Sequence, residues 1–442
     1  MTAITEPLKL SITRLLDAPR RLVWEAYTKK EHLDRWSCPQ GFVMLSSEAD
    51  LRPGGAWRIC MRAPDGELFP ASGVYQEIVP LEKLVMTHGW VEDDGSRPVE
   101  TLMTITFADE GSKTRLTLEQ EGFASAESRD RHVDGWGQCL DKLAGIAAVA
   151  DREIVISREV DAPPELVWKA ITDPAHVAKW WGPVGFSTTT KTMDVRVGGV
   201  WEHVMRGPDG TEYPNRSVFT EVTPPSRLAY DHGGNKKGGP EIHFQMTWIF
   251  DALEEGRTRV TIHQVHPSPE MRDRVVREFG AIEGGRQTLG RLSEELAKEP
   301  FVIERTFDAP DSLVWKAISE PDQIAEWFAE LKGFRAEVGA EAEWDCDKDG
   351  MVYRHRHRVT EVVPGKRLAY SWRYEGHEGE ALVTFELFPE GGKTRLKLTH
   401  AGLETFQPEK FPAFARKNFR KGWTTIIGTH LGEFLAKQAA AR

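Results

Sequence analysis

Apolar and polar residues alternate along most of the chain, and in each of three copies the period lengthens in places to that of a helix. Segments 8–13, 154–158 and 301–305 alternate with period two and read as strands. Each runs into an Asp-Ala-Pro triplet beginning at Asp17, Asp161 or Asp308, which stops the strand and suits a first helical turn. In the second copy Leu166, Val167, Ala170 and Ile171 then form one apolar stripe at helical spacing. Asp173-Pro174 breaks that helix, and a second short helix over about 176–181 ends at Gly182-Pro183. After Phe186 the period returns to two. Glycines at 54, 198 and 339 mark turns before a strand. Pro64-Asp65-Gly66, Pro208-Asp209-Gly210 and Lys348-Asp349-Gly350 signal hairpins. Further strands are predicted at 84–90, 102–107 and 114–119, at 228–232, 244–250 and 258–263, and at 368–374, 382–387 and 394–399. Long helices close the pattern at 128–148, 269–298 and 408–440.

Trp24, Trp168 and Trp315 occupy the same place in each copy, 144 and 147 residues apart. That spacing is a domain period, far longer than a solenoid repeat. Three domains are expected, at 1–150, 151–298 and 299–442, joined by very short linkers near Asp151 and Glu299-Pro300. The element order implies an α+β fold. In each domain two short helices follow the first strand, and a curved antiparallel sheet wraps the long C-terminal helix, the element large enough to cover one sheet face. A curved sheet gripping a helix leaves a gap, which is a natural cavity.

Composition narrows the choices. The chain has 442 residues, 40% hydrophobic and 28% charged, as in ordinary globular proteins. A net charge of -11 argues against nucleic acid as partner. Cys38, Cys60, Cys139 and Cys346 form no Cys-x-x-Cys pair and are expected to be reduced and mostly buried. No signal-like run opens the sequence and no segment approaches about 20 apolar residues, so a cytoplasmic protein without a membrane span is expected.

The recurring residues carry a resemblance. Asp-Ala-Pro-x-x-x-Val-Trp, Trp-Trp-Gly-Pro-x-Gly-Phe, Gly-Gly before a Trp-bearing strand and Glu-Val-x-Pro-x-x-Arg-Leu are most complete in the second copy. There they run from Asp161 through Trp180-Trp181-Gly182-Pro183 and Gly198-Gly199 to Glu221 and Leu228. The chain resembles, three times over, the activator-of-heat-shock-protein-ATPase homologue domain of the SRPBCC (START-like) superfamily. The resemblance implies three tandem helix-grip domains. The first copy departs from it with Ser37-Cys38 where the pattern has Trp-Gly. The third lacks about 7 residues between Trp327 and Gly339, so its front loop is expected to be remodelled. The larger eukaryotic co-chaperone has an additional N-terminal domain that engages the chaperone, and nothing here resembles it; chaperone interaction is therefore a lesser expectation.

Strand parity sorts the candidate binding residues. In the first copy Trp57 and Met61 share a face, as do Met86, His88 and Trp90. In the second, Trp201, His203 and Met205 share one, and Tyr230 and His232 another; in the third, Tyr370 and Trp372 do. Aromatic and Met-rich faces with a few polar tips suit a hydrophobic or aromatic small molecule, though they also suit a filled core. The closing helices carry Trp136 and Trp423 where the second copy has Gly285, which suggests that the second copy holds the largest cavity and is the functional domain. His355 and His357 amount to half of a metal site, with no third ligand evident and arginines interleaved, so no metal and no cofactor are expected. No phosphate-binding glycine loop, Gly-x-Ser-x-Gly or His-Glu-x-x-His occurs.

The expectation for function is a non-catalytic binding protein with hydrophobic cavities, with a connection to stress response. A cyclase- or hydrolase-like enzyme using His203, Tyr230 and His232 is the alternative, and a chaperone-interacting module the third reading.

Overall fold

A computed structural model describes residues 8–234, 239, 241–348 and 350–440. The hairpin signal at Asp349 lies outside the described residues. Three antiparallel sheets follow one another along the chain. In the first repeat the strand Lys9–Leu16 leads into helices Arg20–Thr28 and Lys30–Trp36. Strands Val43–Ala49, Ala56–Arg62, Leu68–Val79, Lys83–Trp90, Thr101–Glu110 and Lys113–Glu121 then meander, and the opening strand pairs with the last of them. The helix Ala126–Ala147 closes the repeat. The second repeat has the same seven-stranded order; the third has six strands. The chain is thus three tandem helix-grip domains. Its residues cluster into two compact units: residues up to 157 with 189–253 and 259–286, and residues 158–188 and 254–258 with those from 287 onward.

Local chemistry recurs in all three copies. Gly54, Gly198 and Gly339 have φ of 79–88°, and each donates its N–H to the carbonyl of Tyr75, Phe219 or Val359 at 2.7, 2.7 and 2.8 Å. A side chain would be strained at that φ, so glycine allows the turn to lock onto the strand. A bulge follows immediately in each strand, at Tyr75/Glu77, Phe219/Glu221 and Val359/Glu361. The three glutamates pair across the hairpin with Lys83, Arg227 and Arg367 at 2.8, 2.7 and 3.2 Å. These are surface pairs of small energetic weight.

The tryptophan that ends the second short helix is structural in every copy. The indole N–H of Trp36 donates to the carbonyl of Ala26 at 2.8 Å, that of Trp180 to Ala170 at 3.0 Å and that of Trp327 to Ala317 at 2.8 Å. Their rings are 1%, 1% and 6% exposed. Each thus ties its short helix to the helix before it while filling the core.

The closing helices differ from the uninterrupted spans read from sequence. In the second repeat Pro269–Phe279 stops at Gly280, whose φ of 59° is left-handed, and Ala281–Ala297 begins anew. In the third, short 3-10 turns precede Arg416–Thr425, and a π-helical turn at Ile426–His430 joins it to Leu431–Ala440. The shortened front loop of the third repeat makes no strand of its own. An isolated bridge between Lys332 and Glu343 stands at that sheet edge.

Candidate functional site

The first repeat encloses a cavity of about 800 Å³ between its sheet and its helices. Strand alternation turns Trp57, Ile59 and Met61 toward it, with Tyr75, Met86, His88, Trp90 and Met103 from the neighbouring strands. Cross-strand pairing sets Tyr75 opposite Met86, and Met86 opposite Met103, in one apolar row. Tyr27, Leu33 and Trp36 come from the short helices, and His132, Trp136 and Cys139 from the closing helix. All five first-repeat residues singled out from sequence, Trp57, Met61, Met86, His88 and Trp90, line this space. Tyr27, Tyr75, Trp136 and His132 also line it.

Hydrogen bonds fix the walls. Trp136 donates its indole N–H to Gln120 Oε1 at 2.8 Å, and Gln120 Nε2 donates to Thr101 Oγ1 at 2.8 Å. Thr101 Oγ1 in turn donates to the carbonyl of His88 at 2.9 Å. This chain of bonds anchors the closing helix to the strand that bears His88. Trp57 donates to the carbonyl of Thr87 at 3.2 Å. The imidazole of His88 sits among aromatic rings, 5.6 Å from Trp57, 5.2 Å from Trp90, 5.7 Å from His132 and 6.4 Å from Trp136, centroid to centroid. Burial, helped by His132, pushes its pKa down to about 3, so the ring is neutral at physiological pH. His132 donates Nδ1–H to the carbonyl of Ser128 at 2.8 Å, which leaves Nε2 as an acceptor.

The third repeat has the same frame, and the matching space beside Trp423 is nearly filled. Trp423 donates to His400 Nδ1 at 3.0 Å, as Trp136 does to Gln120 at the matching position. Phe328, however, stacks on Trp423 at 5.9 Å and 23°, and Leu331 and Phe334 of the remodelled loop follow it inward. The remaining void, lined also by Tyr370, is about 10 Å³, room for one water. Trp372 packs on Trp423 at 5.6 Å. Phe328 follows the structural Trp327; in the first repeat the residue following Trp36 is Ser37, which lines the cavity. The departure from the Trp-Trp pattern at Ser37 was therefore the signal in the sequence for an open first repeat.

In the second repeat Trp201 stacks on His203 at 4.0 Å and 23°, and both are buried. Met205 is half-buried. Tyr230 is buried, its hydroxyl accepts from Trp248 Nε1 at 3.3 Å, and burial pushes its pKa up. His232 Nδ1 lies 3.2 Å from Ser217 Oγ. Burial pushes His203 and His232 down to about 3 and about 4. Both are thus weak bases beside a hydroxyl that does not ionise near neutrality. The space that the missing indole at Gly285 was expected to open is occupied. A Cβ built there would lie 2.4 Å from Cδ1 of Ile156. The group that meets such a Cβ is the branched chain of the opening strand, and Phe279 is 39% exposed.

His357 has both ring nitrogens engaged, Nε2 accepting from Trp344 at 2.9 Å and Nδ1 donating to the carbonyl of Ser371 at 3.1 Å. It has no lone pair left for a metal, and His355 stacks on Trp344 at 4.0 Å. Among the described residues no cluster of His, Cys, Asp or Glu could hold a metal ion. None of the four cysteines is in a disulfide; Cys38 and Cys139 are buried, Cys60 and Cys346 half-buried. No helix among the described residues is long and apolar enough to cross a membrane.

Solved structures similar to this chain each cover about one repeat. A protein of Chromobacterium violaceum is 32% identical, over 32% of this chain and 96% of its own, with a TM-score of 0.30. One from Arthrobacter aurescens is 30% identical over 34% and 89%, with a TM-score of 0.32. The AHSA1 protein from Silicibacter pomeroyi is 25% identical over 32% and 99%, with a TM-score of 0.30. No curated protein matches the chain significantly. The family model described as Activator of Hsp90 ATPase homolog 1-like protein matches residues 17–148, 161–297 and 308–436. The chain belongs to that family, carrying its domain three times in tandem.

Proposed function

We propose that the protein binds an apolar or aromatic small molecule in the cavity of its first repeat, without chemical conversion. The observation that carries this reading is the cavity itself: about 800 Å³, lined by aromatic and Met side chains, with the charged residues of its lining exposed to solvent. Pockets for drug-sized ligands run from about 300 to 1,000 Å³ with this kind of lining. The third repeat, its matching space beside Trp423 nearly filled, serves as a scaffold in this reading. The buried histidines of the second repeat stabilise its core. Native mass spectrometry of freshly purified protein tests it, with Ser37→Trp as the control. A co-purified small molecule retained by the wild type and lost from Ser37→Trp is expected. An adduct that persists in Ser37→Trp would place the ligand elsewhere, and an empty wild type that also fails to take up pyrene would sink the reading.

A further inference from the structure

Three polar side chains that face the cavity have no hydrogen-bond partner on another described residue. The His88 imidazole is 4% exposed, and neither ring nitrogen bonds to another described residue. Tyr27 and Tyr75 are both buried, close enough to influence each other, and neither hydroxyl has a hydrogen bond among the described residues. All three line the cavity. Buried polar groups without partners are costly, and native interiors satisfy nearly all of them. Ser37 Oγ, also in the lining, is likewise without a partner among the described residues. Trp57, Gln120 and Trp136 are all satisfied.

The charged residues of the lining, Lys30, Glu48, Glu67, Glu92 and Arg131, are all exposed. Of the two cations, Lys30 is engaged by Asp34 and the carbonyl of Ser47 at 2.8 and 2.9 Å, and Arg131 stands 4.0 Å from Glu127. The rings packed on His88, those of Trp57, Trp90, His132 and Trp136, bring no formal charge to meet one on a ligand. An ion carried to that depth would lose its hydration without a counter-charge. A neutral imidazole offers one donor and one acceptor, and each phenol offers the same.

We infer that the ligand is an uncharged, flat, largely apolar molecule bearing a hydroxyl or carbonyl oxygen, held at that oxygen by His88 and the Tyr27–Tyr75 pair. This rests on the cavity of the first repeat being a binding site. A site built to hydrogen-bond an oxygen discriminates strongly against the analogue lacking it, because the buried partners are then left unsatisfied.

Three fluorescent probes separate the cases: pyrene, 1-hydroxypyrene and pyrene-1-carboxylate, titrated into the full chain at pH 7. The expected order is 1-hydroxypyrene tighter than pyrene by about tenfold or more, with the carboxylate weakest. His88→Phe and Tyr75→Phe should each erase most of the hydroxyl preference while leaving pyrene affinity within about threefold; Tyr75→Phe removes a single oxygen and guards against loss of fold. Ser37→Trp should lose all three probes. If pyrene binds the wild type but not Ser37→Trp, and the hydroxyl adds nothing or the carboxylate binds best, the inference falls while the binding reading stands. The inference also falls if the hydroxyl preference survives both Phe variants. If no probe binds the wild type, both fall together.

Discussion

Arg35 and Glu153, 118 residues apart, form a two-pronged ion pair in which Arg35 Nη1 lies 2.9 and 3.0 Å from the two carboxylate oxygens. His263 Nε2 reaches the same carboxylate at 2.6 Å, and His32 Nδ1 lies 3.2 Å away. The Glu153 side chain is 2% exposed. Arg35 and His32 belong to the helix Lys30–Trp36, which carries cavity residues of the first repeat; Glu153 opens the second. Arg259 adds to the same edge by donating to the carbonyls of Met44 and Leu45 at 2.6 and 3.0 Å. Residues of the second repeat thus brace the cavity wall of the first.

Burial alone would raise the Glu153 carboxyl; the hydrogen bond from His263, the neighbouring His32 and the Arg35 guanidinium outweigh it and hold the group well below the usual carboxylate range. A folded pKa lowered from 4.5 contributes stability above that pH, and the contribution is lost as the pH falls through 4.5 toward the folded value. Glu153→Gln should cost about 3 kcal/mol at pH 7, because it leaves Arg35 buried without its counter-charge. It should also flatten the loss of stability below pH 4.5. Urea unfolding at pH 7 and pH 4 measures both, and an unchanged midpoint at pH 7 would contradict the bracing role.

A second acid-sensitive window lies higher. Burial lowers His88, His203, His355 and His400 to about 3, and His232, His266 and His357 to about 4, from 6.5. Each stays neutral in the folded chain and takes up a proton on unfolding below pH 6.5, so stability falls from there downward. Calorimetry should show the Tm dropping steadily between pH 6.5 and pH 4, before carboxylate protonation dominates. A Tm that is flat from pH 7 to pH 5 would mean that these rings reach solvent.

Replacing Trp36, Trp180 or Trp327 by Ala should cost about 3–5 kcal/mol, the range for a buried indole. Trp180→Phe keeps much of the packing and removes the hydrogen bond to Ala170, so a smaller loss is expected, with about 1 kcal/mol due to the bond. Chemical denaturation of the full chain distinguishes the two. A cost below about 1 kcal/mol for Trp180→Ala would place the ring outside the core.

Gly285→Ala tests the correction to the second repeat. Alanine favours a helix over glycine by about 1 kcal/mol, yet its Cβ would overlap Ile156 Cδ1. The single substitution should bring no gain, or a loss of about 1 kcal/mol. Gly285→Ala with Ile156→Val, which removes the clashing methyl, should show a favourable coupling of about 1 kcal/mol in a double-mutant cycle. Strict additivity would show that Ile156 does not occupy that space.

Hydrophobic periodicity alone determined the threefold repeat, the strand and helix order and the inward parity of Trp57, Met61, Met86 and His88, because each depends only on the local period of the backbone. The break at Gly280 and the stop before Arg416 were less legible, since one glycine or a run of short turns hardly disturbs an apolar stripe. What only the tertiary structure decided is that the first repeat holds a cavity and what fills the matching places of the others. Cavity volume is a difference between large packed volumes, and it turns on side chains that distant segments bring to one place. Phe328 reaches Trp423 in the third repeat, Ile156 reaches Gly285 in the second, and Ser37, too small to reach Trp136, leaves the first repeat open. The bracing by Glu153 was hidden for the same reason: Lys9 stands at its place in the first repeat, and no period within a repeat connects Glu153 to Arg35.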